Sequence, residues 1–328
     1  MSAPSQPIPP SDHARTLAPW SDRHGSGQHH HYVGRFAPSP SGPLHAGSIV
    51  AALASYLDAR AHGGQWLVRI EDLDPPRVEP GAESRIRRQL AFLGLHWDAP
   101  PWYQSARVDR YLSAFRRLQQ TQRVYGCTCT RREIAHAWQA KCREIIHSAL
   151  QPFSDETPYL GTCRNGISPG RTPRAWRFRI DAGTIHFNDR CYGPQQQCPA
   201  HDCGDFVLRR ADGVWAYQLA VIIDDAEAGV TDVVRGADLL GSTGRQILLQ
   251  RALDIPTPRY MHIPLVMGRD GRKLSKQNQA PAIDDSGQTD AHVILNAAAA
   301  ALQLRVPGSH DPARWLAGAA EQWRERKC

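Results

Sequence analysis

Residues 32–70 read YVGRFAPSPSGPLHAGSIVAALASYLDARAHGGQWLVRI, and the succession of textures within them decides the fold. YVGRFA is a short run of strand composition. LHAGSIVAALASYLDARAHGG reads as a helix closed by Gly63 and Gly64, and QWLVRI reads as a second strand. Strand, helix and strand in direct succession form the unit of an α/β domain built on a parallel sheet.

The joint between the first strand and the helix, PSPSGPLHAGS (38–48), is made of small and polar residues, with His45 and Gly47 at the helix start. Unpaired amides and the helix dipole there attract an anion. A glycine lets a flat nucleotide approach the backbone, and an imidazole can donate to a phosphate oxygen. Taken alone, the same joint reads equally well as an ordinary capped turn.

Outward from this unit, PGAESRIRRQLAFLG (80–94) and SARVDRYLSAFRRLQQ (105–120) are helical, the second with Val108, Tyr111, Leu112, Phe115 and Leu118 on one apolar face. Both are expected to pack on the sheet. From about residue 120 to 204 the periodicity fades, apart from a possible helix at 131–150, and seven of the eight cysteines collect there. That stretch reads as an insertion. Alternating strands and amphipathic helices resume in DFVLRRADGVWAYQLAVIIDDAEAGVTDVVRGADLL and GSTGRQILLQRALD, and MHIPLVM supplies a buried strand. The organisation expected is a disordered tail (1–31), the first half of a Rossmann-type α/β domain (32–119), the insertion (120–204), the second half (205–270), and a lysine-bearing loop with a helical extension (271–328). HVILNAAAAALQL is the clearer of two helices in that extension, and no internal repeat is visible. His29, His30 and His31 read as part of a solvated tail.

At 328 residues with 41% hydrophobic and 22% charged residues, the chain can bury a full core. No apolar run approaches the ~20 residues needed to span a bilayer, and the start lacks the sections of a signal peptide, so no membrane partner and a cytoplasmic location are expected. In that compartment eight cysteines read as metal ligands or buried thiols rather than disulfides. A net charge of +7 and a pI near 9.1 permit a polyanionic partner. Only four lysines occur, and two of them, Lys273 and Lys276, flank a serine in RKLSKQNQ (272–279). A mobile point charge kept within an arginine-biased chain suggests a task at a phosphate.

Together, His45-Ala46-Gly47-Ser48 and Lys273-Leu274-Ser275-Lys276-Gln277 resemble the HIGH and KMSKS motifs of class I aminoacyl-tRNA synthetases, each relaxed at two positions. The resemblance implies a Rossmann-type parallel sheet and in-line attack of an amino-acid carboxylate on the α-phosphorus of ATP. His45, Lys273 and Lys276 would stabilise the charge that develops there. ATP would lie against Pro38, His45, Gly47, Ser48 and Lys276, accompanied by Mg2+ held largely through its phosphates.

Four further segments, GRFAPSPSG, RIEDLD, WAYQLAVIIDD and VVRGADLL, are similar to the glutamyl and glutaminyl branch of that class. The similarity implies that Arg35 pairs with the substrate side-chain carboxylate, that Phe36, Ala37, Pro38 and Ser39 help hold the substrate, and that Glu71 takes its ammonium. Tyr217 and Arg235 would complete the pocket. An acidic substrate needs a cationic fork, and an α-ammonium needs a carboxylate.

In the insertion, Cys127 and Cys129 of GCTCT precede Tyr159 and Cys163 of PYLGTC. Three thiolates and a phenolate could close a tetrahedral zinc site, since a dication lowers a phenol's pKa; reduced buried thiols are the alternative. The spacing resembles the zinc motif of the glutamyl-queuosine tRNA(Asp) synthetases, short paralogues of glutamyl-tRNA synthetase, and so implies one structural Zn2+ per chain. Cys191, Cys198, His201 and Cys203 read as local thiols rather than a second metal site, and Cys142 and Cys328 carry no signal. The 51 residues after Gln277 (328 − 277) leave room for a helix or two but not for an anticodon-reading domain. In the short family that absence fits a substrate whose anticodon enters the catalytic domain. The implied partners of a monomeric enzyme are ATP, L-glutamate and queuosine-modified tRNA(Asp). Two other readings are a shortened glutamyl-tRNA synthetase acting on a tRNA 3′ end and a catalytically silent tRNA-binding paralogue.

Overall fold

The computed structural model describes residues 31–144, 157–267, 289–306 and 308–326. The tail ahead of His31 and the lysine loop, with Lys273 and Lys276, lie outside the described residues. In chain order the first half holds β1 (Val33–Phe36), α1 (Ala46–Ala61), β2 (Gln65–Ile70), α2 (Ala82–Phe92), β3 (Trp102–Tyr103) and α3 (Val108–Gln120). Next come β4 (Val124–Cys127), α4 (Arg131–Glu144), β5 (Ala175–Phe178), β6 (Ile185–Asp189), β7 (Gly193–Gln197), α5 (Pro199–Asp202) and β8 (Val207–Arg209). The rest comprises α6 (Tyr217–Glu227), β9 (Asp232–Gly236), α7 (Thr243–Ala252), β10 (Arg259–Ile263), α8 (Ala291–Ala301) and α9 (Pro312–Glu325).

β1 pairs in parallel with β2, and β2 with β3. β9, β10 and β6 are likewise parallel neighbours, with β7 antiparallel at the edge. The two sheets meet along β1 and β9, where the Thr231 N–H donates to the Val33 carbonyl at 2.9 Å. Strand order therefore reverses between β1 and β9, and in an open α/β sheet the carboxyl ends of the strands at that switch point flank a crevice suited to ligands. A separate antiparallel sheet, β4-β5-β8, carries the cysteine-bearing region.

Helix α1 is apolar nearly all round, and such a helix must be covered on more than one side. It is: Ile49, Val50, Leu53 and Leu57 belong to a core that includes Trp66 and Val68 of β2 as well as Leu295, Trp315, Leu316 and Trp323 of α8 and α9. The C-terminal extension is thus the outer wall of the first βαβ unit. The expected closure at Gly63 and Gly64 is present. Gly63 adopts φ +63°, and a Cβ on Gly64 would come within 2.4 Å of the Tyr32 carbonyl oxygen.

Asp58 interrupts the apolar surface of α1 and is fully buried. Its carboxylate receives Nη1 and Nη2 of Arg190 at 2.5 and 2.8 Å, Nε1 of Trp323 at 2.9 Å, and the Tyr32 hydroxyl. Burial alone would raise this carboxyl, but Arg190 and the other donors hold it below the ordinary carboxylate range. One charge thereby ties together α1, the start of β1, the turn after β6, and α9. The apolar face expected on α3 is corrected at one position. Val108 is 44% exposed, because it opens the helix and the buried stripe runs through Tyr111, Ala114, Phe115 and Leu118 instead.

Replacing Asp58 with Ala leaves Arg190 only the more distant Asp232, at 3.5 Å, strands the Trp323 and Tyr32 donors, and is expected to cost about 3 kcal/mol or more in urea unfolding. A loss under about 1 kcal/mol would show that α9 docks without this charge.

Candidate active site

Two clefts open at the carboxyl ends of β1 and β9. The first, about 320 Å3, is lined by Pro38, Ser39, His45, Gly47 and Ser48 from the β1–α1 joint and by Gly236, Asp238 and Leu239 after β9. The second, about 780 Å3, is lined by Ser39, Glu71, Gln104, Tyr217, Gln218, Leu239 and Arg245, and extends to Arg131, Tyr159 and Arg177 of the cysteine-bearing region. Ser39 and Leu239 border both, so the clefts are contiguous. An anion at the start of α1 and a ligand beside Glu71 would therefore meet at Ser39.

His45 is the N-cap of α1, with extended backbone (φ −111°, ψ 171°), and its Nδ1 accepts the Ser48 N–H at 3.3 Å. A neutral imidazole that accepts through Nδ1 carries its proton on Nε2. His45 is therefore set up as a hydrogen-bond donor on the wall of the smaller cleft. No acidic residue lies in the first turn of α1, so nothing there opposes the dipole's attraction for a phosphate.

Beside the larger cleft lies a buried charge cluster. Arg69 Nη1 is 2.5 Å and Arg35 Nε is 3.2 Å from Asp225 Oδ1, and Arg69 Nη2 reaches Glu71 Oε1 at 3.3 Å. Arg35 also donates to the Val234 carbonyl at 3.3 Å. The neighbouring Asp224 accepts from Arg107 Nε at 2.6 Å, and from Gln104 Nε2 and the Tyr111 hydroxyl, each at 2.8 Å. Burial would raise the Asp225 carboxyl, yet Arg35 and Arg69 hold it below the usual carboxylate range. Glu71 is pushed above its ordinary value by burial, partly offset by Arg69 and Arg35. Burial also raises the Tyr217 phenol, which feels Arg235, Glu71, Arg35 and Asp225, so the fold brings these side chains into one electrostatic neighbourhood.

Arg235, 5% exposed, is held by Gln246 Oε1 at 2.7 Å, Thr243 Oγ1 at 2.9 Å and His262 Nε2 at 3.0 Å. Of the residues read from the sequence as a glutamate pocket, Ser39, Glu71 and Tyr217 stand on the wall of the larger cleft. Phe36, Ala37, Pro38 and again Ser39 line the smaller one. Arg35 and Arg235 line neither cleft: both are buried near the carboxyl ends of their strands, and Arg35 borders a separate cavity of about 220 Å3 with Arg69 and Glu227. Sequence reasoning gave no role to Arg69, Asp225, Asp189 or His262. The pairs IED and IDD were visible, but nothing in their spacing says that one aspartate neutralises two arginines.

In the cysteine-bearing region, Thr130 and Glu133 form a capping box. Thr130 N–H donates to Glu133 Oε2 at 2.6 Å and Glu133 N–H to Thr130 Oγ1 at 3.2 Å, which starts α4 directly after Cys129. Cys129 Sγ is 3.6 Å from Cys163 Sγ, and the Tyr159 hydroxyl is 3.5 Å from Cys127 Sγ and 3.8 Å from Cys129 Sγ. The three sulfurs all lie within 4.8 Å of one another. Corners of a tetrahedron with ~2.3 Å metal–sulfur bonds are about 3.8 Å apart, so the donor set fits a zinc ion. The phenol suits the fourth position: its oxygen accepts the Cys163 N–H at 2.8 Å, and the Arg177 guanidinium lies 3.8 Å from its ring centroid. Burial and Cys127 nevertheless raise the phenol, with the Cys163 amide acting against them, so a phenolate here would depend on the charge of the bound dication. Among the described residues, Cys198, His201 and Cys203 form no such group. The expectation of thiols throughout is corrected at Cys191, which is disulfide-bonded.

The family described as tRNA synthetases class I (E and Q), catalytic domain, matches residues 32–307. The glutamyl-Q tRNA(Asp) synthetase of Bordetella bronchiseptica is 54% identical over 299 residues, covering 90% of this chain and 89% of its own. That of Cupriavidus metallidurans is 52% identical over 306 residues, covering 90% and 92%. Among solved structures, a glutamate tRNA ligase from Elizabethkingia meningosepticum in complex with its amino acid matches with TM-score 0.68 and 25% identity over 88% of this chain. The glutamate-tRNA synthetase of Elizabethkingia anophelis matches with TM-score 0.69 and 26% identity over 89%. This chain spans 64% and 65% of the length of those two.

Because its folded pKa is depressed, Asp225 contributes stability above the unfolded carboxylate pKa of ~3.9, and that stability is lost as pH falls through the folded value. Asp225→Ala is expected to remove about 3–5 kcal/mol at pH 7 and to flatten the acid limb of the stability profile. Urea unfolding between pH 3 and 7 measures both; an unchanged acid limb would show that Asp225 is not the neutralising group.

Proposed function

The chain belongs to the glutamyl-Q tRNA(Asp) synthetase family of class I (E and Q) tRNA synthetases, and on that premise we propose that it activates L-glutamate with ATP and transfers it to queuosine in tRNA(Asp). It is a ligase that joins glutamate to tRNA. The finer reading is attack of the glutamate α-carboxylate on the α-phosphorus of ATP, followed by attack of a hydroxyl of the queuosine cyclopentene ring on the glutamyl adenylate. The ester forms as AMP leaves.

The observation that carries this reading is the contiguity of the two clefts at Ser39. Triphosphate at the start of α1 and glutamate against Glu71 and Tyr217 would bring α-phosphorus and α-carboxylate together at that border. Glu71 holds the ammonium, and Arg35 and Arg235 supply the positive field for the side-chain carboxylate. His45 donates through Nε2 to a phosphate oxygen, and Lys273 and Lys276 act on the charge of the triphosphate. Mg2+ bound with ATP would offset the negative charge of the phosphates. The larger cleft has a volume near the upper part of the ~300–1,000 Å3 range of small-molecule sites. Its far wall, with Arg131 and Arg177, is where the acceptor nucleoside would enter. Cys127, Cys129, Tyr159 and Cys163 would hold a structural zinc that fixes this wall. We assign the separate β4-β5-β8 sheet with its cysteine cluster to acceptor recognition, and the main sheet, which takes in β6 and β7, to activation.

Labelled glutamate, offered with ATP to tRNA(Asp) bearing queuosine or unmodified guanosine, is expected to label only the queuosine-bearing anticodon fragment. Label at the 3′ end would identify a shortened tRNA-charging enzyme, and no label with either tRNA would leave a silent tRNA-binding protein. Metal analysis of the purified chain is expected to give about one zinc, lost in Cys129→Ser; a zinc-free wild-type protein with intact thiols would refute the Cys3Tyr assignment.

A further inference from the structure

We infer that Asp189 and His262 form a positioning relay that sets the plane of the Arg235 guanidinium, and with it the affinity for the substrate's side-chain carboxylate. The inference rests on the assignment of Arg235 to the glutamate pocket.

Asp189 ends β6 and is 1% exposed; His262 lies in β10 and is fully buried. The carboxylate accepts the backbone N–H groups of Cys191 at 3.0 Å, Tyr192 at 2.9 Å and His262 at 3.1 Å, and lies 2.6 Å from His262 Nδ1. Burial would raise this carboxyl, but the His262 ring and the Tyr192 and Cys191 amides hold it low. It therefore remains an acceptor, and His262 Nδ1 must carry a proton to meet it. Burial and the facing Arg235 also hold the imidazole below its ordinary pKa, against the pull of Asp189. A neutral ring protonated at Nδ1 has a bare lone pair at Nε2. That lone pair receives the Arg235 Nε–H at 3.0 Å.

The order cannot be reversed without cost. With the proton on Nε2, two donors would face each other across 3.0 Å, and the guanidinium would have to turn. Arg235 also donates through Nη1 to Gln246, and through Nη2 to Thr243 and the Leu239 carbonyl. Together with the Nε–H bond these account for four of the five N–H donors of an arginine, which leaves one Nη1 hydrogen for a carboxylate. A fork fixed on three sides presents that hydrogen in one direction. Asp189 reaches this site from β6, the inner strand of the β6–β7 hairpin, so the relay also ties that hairpin to the glutamate pocket.

The test compares His262→Gln with His262→Asn in ATP–pyrophosphate exchange. The Gln carbonyl can stand where Nε2 stands and accept from Arg235, whereas the Asn amide can donate to Asp189 but leaves Arg235 Nε without an acceptor. Asn is expected to raise the glutamate KM about 10-fold or more and Gln no more than about 3-fold, with the ATP KM within about 2-fold in both. Equal effects on glutamate KM, or a parallel change in ATP KM, would overturn the relay. Arg235→Gln separates the inference from its premise. If that variant leaves the glutamate KM unchanged, the pocket assignment fails; if it raises KM while His262→Asn does not, only the relay fails. Should both His262 variants misfold, 15N spectra of histidine-labelled wild-type enzyme decide the point. A protonated Nδ1 and bare Nε2 are expected for His262, and the opposite tautomer would overturn the proposal.

Discussion

Two arginines on adjacent strands of a buried parallel sheet cannot keep their charges unless anions reach them; Asp225 is the carboxylate that reaches both, and Glu71 and Asp224 add to it at Arg69. Arg35 comes from β1, Arg69 from β2 and Asp225 from α6, so one carboxylate joins the first half of the catalytic domain to the second across the cysteine-bearing region. In a medium of low polarity the contact cannot be replaced by water. Asp224, one residue earlier, extends the same tie to α3 through Arg107, Gln104 and Tyr111. The placement of β1 beside β9, and hence of the switch point, goes together with this neutralisation.

Once the switch point is fixed, the location of the clefts follows. Strand ends on either side of a reversal in strand order diverge, and the loops that leave them open a crevice. The β1–α1 joint brings the start of a well-buried helix to that crevice, and the segment after β9 supplies the opposite wall. A helix end can serve as an anion site only if the helix itself does not move. Here α1 is clamped between the sheet and the C-terminal helices, and its one buried charge, Asp58, is bonded by groups from three other parts of the chain. The helical extension thereby contributes to the site without touching it.

The cysteine-bearing region is linked to the core by two different kinds of chemistry. At one end, Tyr159 and three cysteines gather in a donor set of tetrahedral dimensions on the far side of the larger cleft. At the other, the β6–β7 hairpin joins the main sheet beside β10 and delivers Asp189 to His262. A region that sequence periodicity presents as an interruption is therefore continuous with the sheet.

Period and punctuation made the βαβ unit, the α6 to β10 succession and the two C-terminal helices legible in the sequence, because apolar spacing and glycine positions are local properties. The anion site at His45 and Gly47 and the cysteine and tyrosine spacing were legible for the same reason: their residues are neighbours along the chain. What the sequence could not determine was how charges separated by 132 to 190 residues would be paired. That Asp225 answers Arg35 and Arg69, and that Asp58 answers Arg190 and the indole of Trp323, depends on which strands become neighbours. An aspartate has the same local appearance whether it is solvated or buried. Only the tertiary structure, by removing water from some of these groups and not others, decided which charges had to find one another.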